Sequence, residues 1–408
     1  MNFQITTEQQ MLIDSVQRFL VRDYSFDERR KQLHDAASAR WRWQTLADLG
    51  LLGLIAPEAN GGIGGHAFDA MLVAKALAPG LMLEPWPEVA VESVSLLHAL
   101  LHASQLSNIS TEPSIEPRKA KLAESLQAIA SGERMIVPAH DELTMQGDMM
   151  ALQVRADPAG DGYVIHGNKH LVCGGAIADQ WLVSAMIGEP GHQTYGVFLF
   201  GTEVPGVQLR SYQGMDSRWY ADLSFRDCWV PSHCLLSADA GEAIQLAQAM
   251  RLMVWCADAQ GCMHSLVEQT KHYLQTRQQF GQAIGRFQAL QHRAVDMFIH
   301  SEQAYSMLIR AADACERLFV HYRNEQAFRV SDRAPMNEDL KQCRKALAAA
   351  RLLIGIGARS VSQEAVQLHG GMGVTDELCI GHFFRRLTAF ELRLGDTDYH
   401  HQQMAKMS

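Results

Sequence analysis

An excess of cationic residues is missing from this chain of 408 residues, whose 36 Lys and Arg stand against 45 Asp and Glu for a net charge of −9. Nucleic-acid binding draws on clustered cations that release counterions from phosphate, so the balance argues against that class of ligand, a local basic patch aside. The eight cysteines, Cys173, Cys228, Cys234, Cys256, Cys262, Cys315, Cys343 and Cys379, include no CxxC pair and no Cys/His spacing of a zinc site. The ordinary reading for those on apolar helix faces is a reduced, buried thiol. No stretch approaches the roughly 20 apolar residues that a membrane helix needs. The opening MNFQITTEQQMLIDSVQRFL carries Glu8 and Asp14 and no basic region ahead of an apolar run, so it does not read as a secretory leader, and the cytoplasm is the expected compartment. No GxSxG elbow and no short internal repeat is present. What remains, with 47% hydrophobic and 20% charged residues, is an ordinary globular composition, long enough for two or three units sharing buried surface.

The pattern along the chain predicts an α+β fold with a sheet inserted between two helical parts. Residues 1–132 read as helices: Leu12, Val16, Phe19 and Leu20 recur at helical spacing, with Thr7 as a weak N-cap. The polar, proline-bearing HASQLSNISTEPSIEP reads as a surface loop. Around Met135 the period changes, and residues 133–236 hold short β-prone runs separated by turn signals such as Pro158-Ala-Gly160, a barrel-like β domain. Residues 237–408 return to helical spacing through Ile244, Ala247, Leu252 and Val254, a four-helix bundle interrupted by the polar stretch at 323–340.

Two features mislead. Gly62, Gly64 and Ala67 satisfy the spacing of a dinucleotide fingerprint, but the surroundings are helical rather than βαβ, and an ordinary glycine loop is the better reading. The tail GDTDYHH gathers Asp396, Asp398, His400 and His401, yet adjacent histidines usually point apart, so a solvated terminus is preferred to a metal site. Two blocks carry information. Tyr273 to Met297 places Arg277, Gln279, Phe280, Phe287 and Gln288 close together around the helix-breaking Gly281. In QLHGGMGVTDEL, adjacent Gly370 and Gly371 end a helix where bare backbone can approach a ligand.

These blocks, with ITTEQQMLIDSVQRFL, LADLGLLGLIAPEANGGIGG and MDSRWYADLSFRDCWVP in order, resemble the landmarks of the acyl-CoA dehydrogenase family across almost the whole chain. The ending GHFFRRLTAFELRLGDTDYH is similar to the small-subunit branch associated with pimeloyl-CoA-type and steroid-side-chain dehydrogenases, whose members pair with a second, related chain. The resemblance implies FAD as cofactor and α,β-desaturation of an acyl-CoA thioester: a carboxylate removes the α proton, the β hydrogen leaves as hydride, and electrons pass on to an electron-transferring flavoprotein. It also implies roles. Arg277 pairs with the pyrophosphate of a neighbour's FAD, Phe280 and Phe287 pack on the cofactor, and Gln279, Gln288, Gln367, Gly370 and Gly371 supply polar and backbone contacts.

The flavin-facing half departs from the family. PAHDELTMQGDMM stands where a Thr-Glu-Pro-Gly stretch is usual, and KHLVCGG puts Leu171 and Cys173 where a Trp and a Thr flank the flavin. The position of the catalytic glutamate falls on Leu394, and the alternative position in another branch falls among Met250, Arg251 and Leu252. No catalytic residue is therefore assigned. The expectation is a subunit that completes the FAD site of a paralogous catalytic partner. Two alternatives stay open: a self-sufficient homotetramer using Glu391 or Asp396 as a displaced base, and a non-enzymatic relative that binds acyl-CoA or a macromolecule. Because one flavin per pair of chains is absent in such a scheme, its space becomes room for a bulky or dicarboxylic thioester by analogy.

Overall fold

The computed structural model describes residues 4–106, 115–145, 147–189, 191–323 and 333–407. Helix α1 (Thr7–Asp23) is opened by Thr6, not Thr7: the Thr6 hydroxyl accepts from the Gln9 amide while the Gln9 side chain accepts from the Thr6 amide. This reciprocal capping box satisfies two donors at once, which a lone threonine at the next position cannot do. The short helices α2 (Phe26–Lys31) and α3 (Trp43–Asp48) lead to a glycine loop and α4 (Ala67–Leu77). Gly62 is demanded there by packing, since a Cβ would sit 2.1 Å from the Ala56 carbonyl oxygen. A wide helical turn, Pro87–Ser93, runs into α5 (Val94–Leu106), and α6 (Ile115–Ala130) completes the first helical layer.

The change of period at Met135 is the start of β1 (Ile136–Ala139). It is followed by β2 (Arg155–Ala159), β3 (Gly162–Cys173), β4 (Gln180–Ile187), β5 (Thr194–Gly201), β6 (Val207–Gln213), β7 (Trp219–Pro231) and β8 (Leu235–Ser237). They form one sheet in the order β6-β7-β3-β2-β4-β5-β8, with β1 parallel to β4. β3 and β7 run antiparallel from Gly162↔Pro231 to Cys173↔Tyr220, and the register slips between Lys169 and Val172. The slip leaves Leu171 at φ +53°, a conformation that costs a branched side chain free energy and turns its carbonyl out of the ladder.

α7 (Gly241–Thr276) is apolar on almost every side and runs through the centre of the molecule. It meets α4 so closely that a Cβ on Gly261 would lie 2.5 Å from the Lys75 carbonyl oxygen. After the small hairpin β9 (Gln278–Gln279) and β10 (Gln282–Ala283), α8 (Gln288–Val320) and α9 (Arg333–His369) pack on it, and α10 (Cys379–Leu392) packs on α7 and α9. The polar interruption expected at 323–340 resolves into two parts: residues 324–332 lie outside the described residues, and α9 begins at Arg333. Residues 107–114 of the expected surface loop lie outside them as well. The tail is solvated only in part: Asp396, Asp398 and His401 are exposed, but the segment is ordered and one histidine is not in solvent. Asp396 caps α11 (Thr397–Lys406) by accepting from the Tyr399 amide, and His400 is buried, its Nε2 2.9 Å from the Leu394 carbonyl oxygen. No helix among the described residues is long and apolar enough to cross a membrane.

Candidate functional site

The residues expected to grip FAD gather on the surface. Arg277 caps the C-terminus of α7 in an extended conformation, and the β9–β10 hairpin follows at once, so Gln279 and Phe280 project from its tip beside Gly281. Phe280 is 91% exposed and sits at φ +52°, with its ring edge-on to that of Phe287 at 6.1 Å. Gln288 begins α8 on the exposed side. Gln367 is on the exposed face of the last turns of α9, and the turn after it exposes Gly370 and Gly371, where an added Cβ would meet nothing within 4 Å. An aromatic side chain almost fully in water, held in a strained backbone conformation, is costly in an isolated chain; such features mark surfaces that meet something else.

The interior is different. The positions that the resemblance assigns to flavin and base, Leu171, Cys173, Arg251 and Leu394, are brought together by the fold and surrounded by charge. Arg251, buried on α7, donates to both carboxylate oxygens of Asp141 at 2.7 and 3.1 Å and lies 3.4 Å from Glu92. Arg393, in the extended residue that ends α10, donates to Asp141 at 3.3 Å, to the Leu171 carbonyl at 3.3 Å and to the Tyr220 hydroxyl at 3.2 Å, with its guanidinium 4.4 Å from the Trp255 ring. Arg218 donates to Glu88 at 3.2 Å, and Arg386 to Asp258 at 2.8 and 3.1 Å. Tyr220 donates to Asp216 at 2.7 Å. Cys173 pairs with Tyr220 across the sheet, and burial together with nearby Glu88 pushes its thiol well up.

Charge balance explains how so much can be buried. Arg218, Arg251, Arg386 and Arg393 face Glu88, Glu92, Asp141, Asp216 and Asp258. Burial pushes Glu92 up to about 8 against the pull of Arg251, which favours its neutral form and lessens the excess of buried acid. Burial likewise pushes Asp141 up, but Arg251 and Arg393 outweigh it and hold the carboxyl well below the usual range. A cavity beside Asp216, Arg218, Trp255, Asp258 and Arg386 is about 10 Å³, room for a water molecule at most.

Sequence reasoning missed this cluster, although a signal was there: Glu88 and Glu92 in PWPEVAVES and Arg251 in AMRLMVW are charges set in otherwise apolar stretches. Leu394 is partly buried at φ +57°, past the end of α10, so Glu391 does not share its face as a continuing helix would require. Glu391 is instead bound by Arg359, whose Nε donates at 3.0 Å, and by the Thr397 hydroxyl at 3.3 Å. Next to the cluster, a groove of about 450 Å³ runs past Met149, Gln248, Leu252, Arg344 and Tyr399; Gln248 closes its inner end by donating to Glu92 at 2.8 Å.

Helices, inserted sheet and helical bundle in this order define the acyl-CoA dehydrogenase fold, a class of flavoprotein oxidoreductases. The chain belongs to the acyl-CoA dehydrogenase family: models of its N-terminal, middle and C-terminal domains match residues 6–102, 142–228 and 242–408. Mitochondrial isovaleryl-CoA dehydrogenase of Pongo abelii is 24% identical over 97% of this chain and 87% of its own. Among solved structures, the glutaryl-coenzyme A dehydrogenase glutaryl-CoA complex superposes with a TM-score of 0.80 at 19% identity, over 99% of this chain and 96% of that one. The ChsE4-ChsE5 complex from Mycobacterium tuberculosis gives 0.73 at 22%, over 100% and 98%. At these identities the structural likeness shows the fold. FAD is the family's cofactor, and the two halves of this chain fit it unequally. The exposed corner offers a guanidinium, aromatic faces and bare glycine backbone suited to a dinucleotide, whereas the interior position is filled by side chains.

Proposed function

We propose that this chain is a subunit of a FAD-dependent acyl-CoA dehydrogenase that completes the cofactor site of a related catalytic partner. The observation that carries the reading is the contrast between Arg277, Phe280, Gly370 and Gly371, all presented outward, and Leu394, which the resemblance puts at the base position and which cannot accept a proton. Arg277 pairs with the partner-bound pyrophosphate, Phe280 and Phe287 cover it from water, and Gln279, Gln288 and Gln367 orient it. FAD held there would supply the acceptor for the hydride leaving the β carbon, and an electron-transferring flavoprotein would take up the electrons. The partner contributes the carboxylate that takes the α proton. That one solved neighbour is a complex of two named chains, ChsE4 and ChsE5, supports pairing as an arrangement open to this fold.

The competing assignment, a homotetramer with its own displaced base, needs Glu391 or Asp396 free; the first is ion-paired with Arg359 and the second caps α11. Producing the chain alone and together with its genomic-neighbour paralogue, then recording flavin absorbance and acyl-CoA-dependent ferricenium reduction, decides the matter. Activity and colour are expected only in the joint preparation. A yellow, active preparation of this chain alone refutes the proposal.

A further inference from the structure

We infer that the room the family gives to flavin ring and thioester is, in this chain, permanently taken by the cluster around Asp141, which fastens the sheet to the helical bundle in the cofactor's place. Three observations combine. First, Leu171, Cys173, Arg251 and Leu394 come from β3, α7 and the segment after α10, and one pair of guanidinium groups links them: Arg251 itself, and Arg393 reaching the Leu171 carbonyl. Second, the links cross the layers of the fold. Asp141 follows β1 and binds Arg251 of α7 and Arg393 beyond α10, while Arg218, just ahead of β7, binds Glu88 in the wide turn Pro87–Ser93. Third, the linked side chains are themselves buried, with Arg251 4%, Arg393 9% and Asp141 16% exposed.

A buried ion cluster of this size does not open cheaply. Removing one partner from such a pair leaves a charge in low dielectric, so the cluster either persists whole or the packing around it fails. A ligand entering here has to displace at least Arg393 from three acceptors, Asp141, Leu171 and Tyr220. The space of an absent flavin is therefore not substrate room in this chain. The expectation of an enlarged pocket for bulky thioesters gains no support from this cluster. The occlusion is read from this chain by itself; only its consequence for an assembly rests on the pairing proposed above.

The test uses the wild-type chain. After a cooperative thermal melt has shown it folded, it is titrated with FAD, followed by flavin fluorescence, and with octanoyl-CoA, followed calorimetrically. No saturable binding of either and no shift of the melting temperature are expected; saturable uptake of either ligand overturns the inference. The assembly with the paralogue is then assayed for flavin per polypeptide, with one flavin for two chains expected and one for each chain overturning it. The two proposals fail separately. If the ratio is one to two but Arg277→Ala leaves flavin retention unchanged, occlusion stands and the cofactor-grip reading falls. If Arg277→Ala strips flavin from the assembly while the isolated chain binds FAD, the reverse holds.

Discussion

Arg393 and Asp141, 252 positions apart in the chain, meet at 3.3 Å, and the same carboxylate is held from its other side by Arg251 at 2.7 Å. One acid thus compensates two buried guanidinium groups. Asp141→Ala strands both, and the cost is expected to be about 3–5 kcal/mol, typical of breaking a buried pair. Arg393→Met should cost less, because Asp141 keeps Arg251. Combining Arg251→Met with Asp141→Leu removes both charges of the tighter pair, so the double variant should be more stable than the sum of the single losses predicts. Urea unfolding at pH 7 of these three variants and of the single substitutions Arg251→Met and Asp141→Leu measures the effects; additive losses would mean that the ion pairs are not coupled.

Phe280 offers a test in which stability and assembly move in opposite directions. Its backbone is left-handed and its ring is in solvent, so Phe280→Gly relieves strain worth about 1 kcal/mol while deleting a side chain that touches little besides Phe287. The isolated chain should melt at the same temperature or slightly higher. The assembly should bind FAD more weakly, and Arg277→Ala should weaken it further, by roughly 10- to 100-fold, the worth of a charge-assisted hydrogen bond. Equal flavin retention in wild type and both variants would remove the corner from the cofactor site.

The two halves of the site differ in how legible they are. Arg277, Phe280, Gly281 and Phe287 lie within eleven residues of one another, so their association is a local fact that spacing alone displays. The helix-to-sheet change at Met135 is local in the same sense: β1 starts at the next residue. Asp141 is different. Its partners lie on α7 and beyond α10, and nothing in PAHDELT says which of many arginines will reach it. A buried acid such as Glu88 or Glu92 is legible only as an oddity in an apolar run. The α11 tail was misjudged in part for a related reason: Asp396 and the two histidines look polar, but the cap formed by Asp396 and the burial of His400 against the Leu394 carbonyl depend on the turn at Leu394-Gly395, where both residues have positive φ.

Glu391 and Asp396 can be tested against each other. Glu391→Gln loosens the grip of Arg359, which is itself well exposed, so a loss of no more than about 1 kcal/mol is expected. Asp396→Ala removes a helix cap and should cost about 0.5–2 kcal/mol. Neither change should lower kcat of the joint preparation by more than a few-fold at the temperature of full folding. A drop of several orders of magnitude in Glu391→Gln, with the fold intact by circular dichroism, would restore the self-sufficient enzyme as the better reading.

Acid stability follows from four buried histidines, among them His382, which burial lowers to about 4 with Arg29 and Arg385 adding to the effect. Burial lowers His98 to about 4, with His102 and Arg323 adding to the effect. Burial also lowers His400 to about 4, reinforced by Arg351, and His140 to about 3, reinforced by Lys169. The unfolded chain titrates these groups near 6.5, so between pH 6.5 and 4 it binds protons that the folded chain refuses, and stability must fall as pH falls through that window. Glu92 acts the other way: its folded value of about 8 lies above the unfolded one near 4.5, so its contribution is lost as pH rises from 4.5 towards 8. Four lowered histidines against the two raised acids, Glu92 and Glu84, leave a net loss on acidification, and the melting temperature should drop progressively from pH 6.5 to 4.5. His98 meets Phe319 edge-on at 5.8 Å, so His98→Phe can keep the packing while deleting one refused proton. Its melting temperature should therefore match wild type near pH 7 and exceed it at pH 5. Parallel curves for the two proteins across that range would show that His98 is not among the groups that set acid stability.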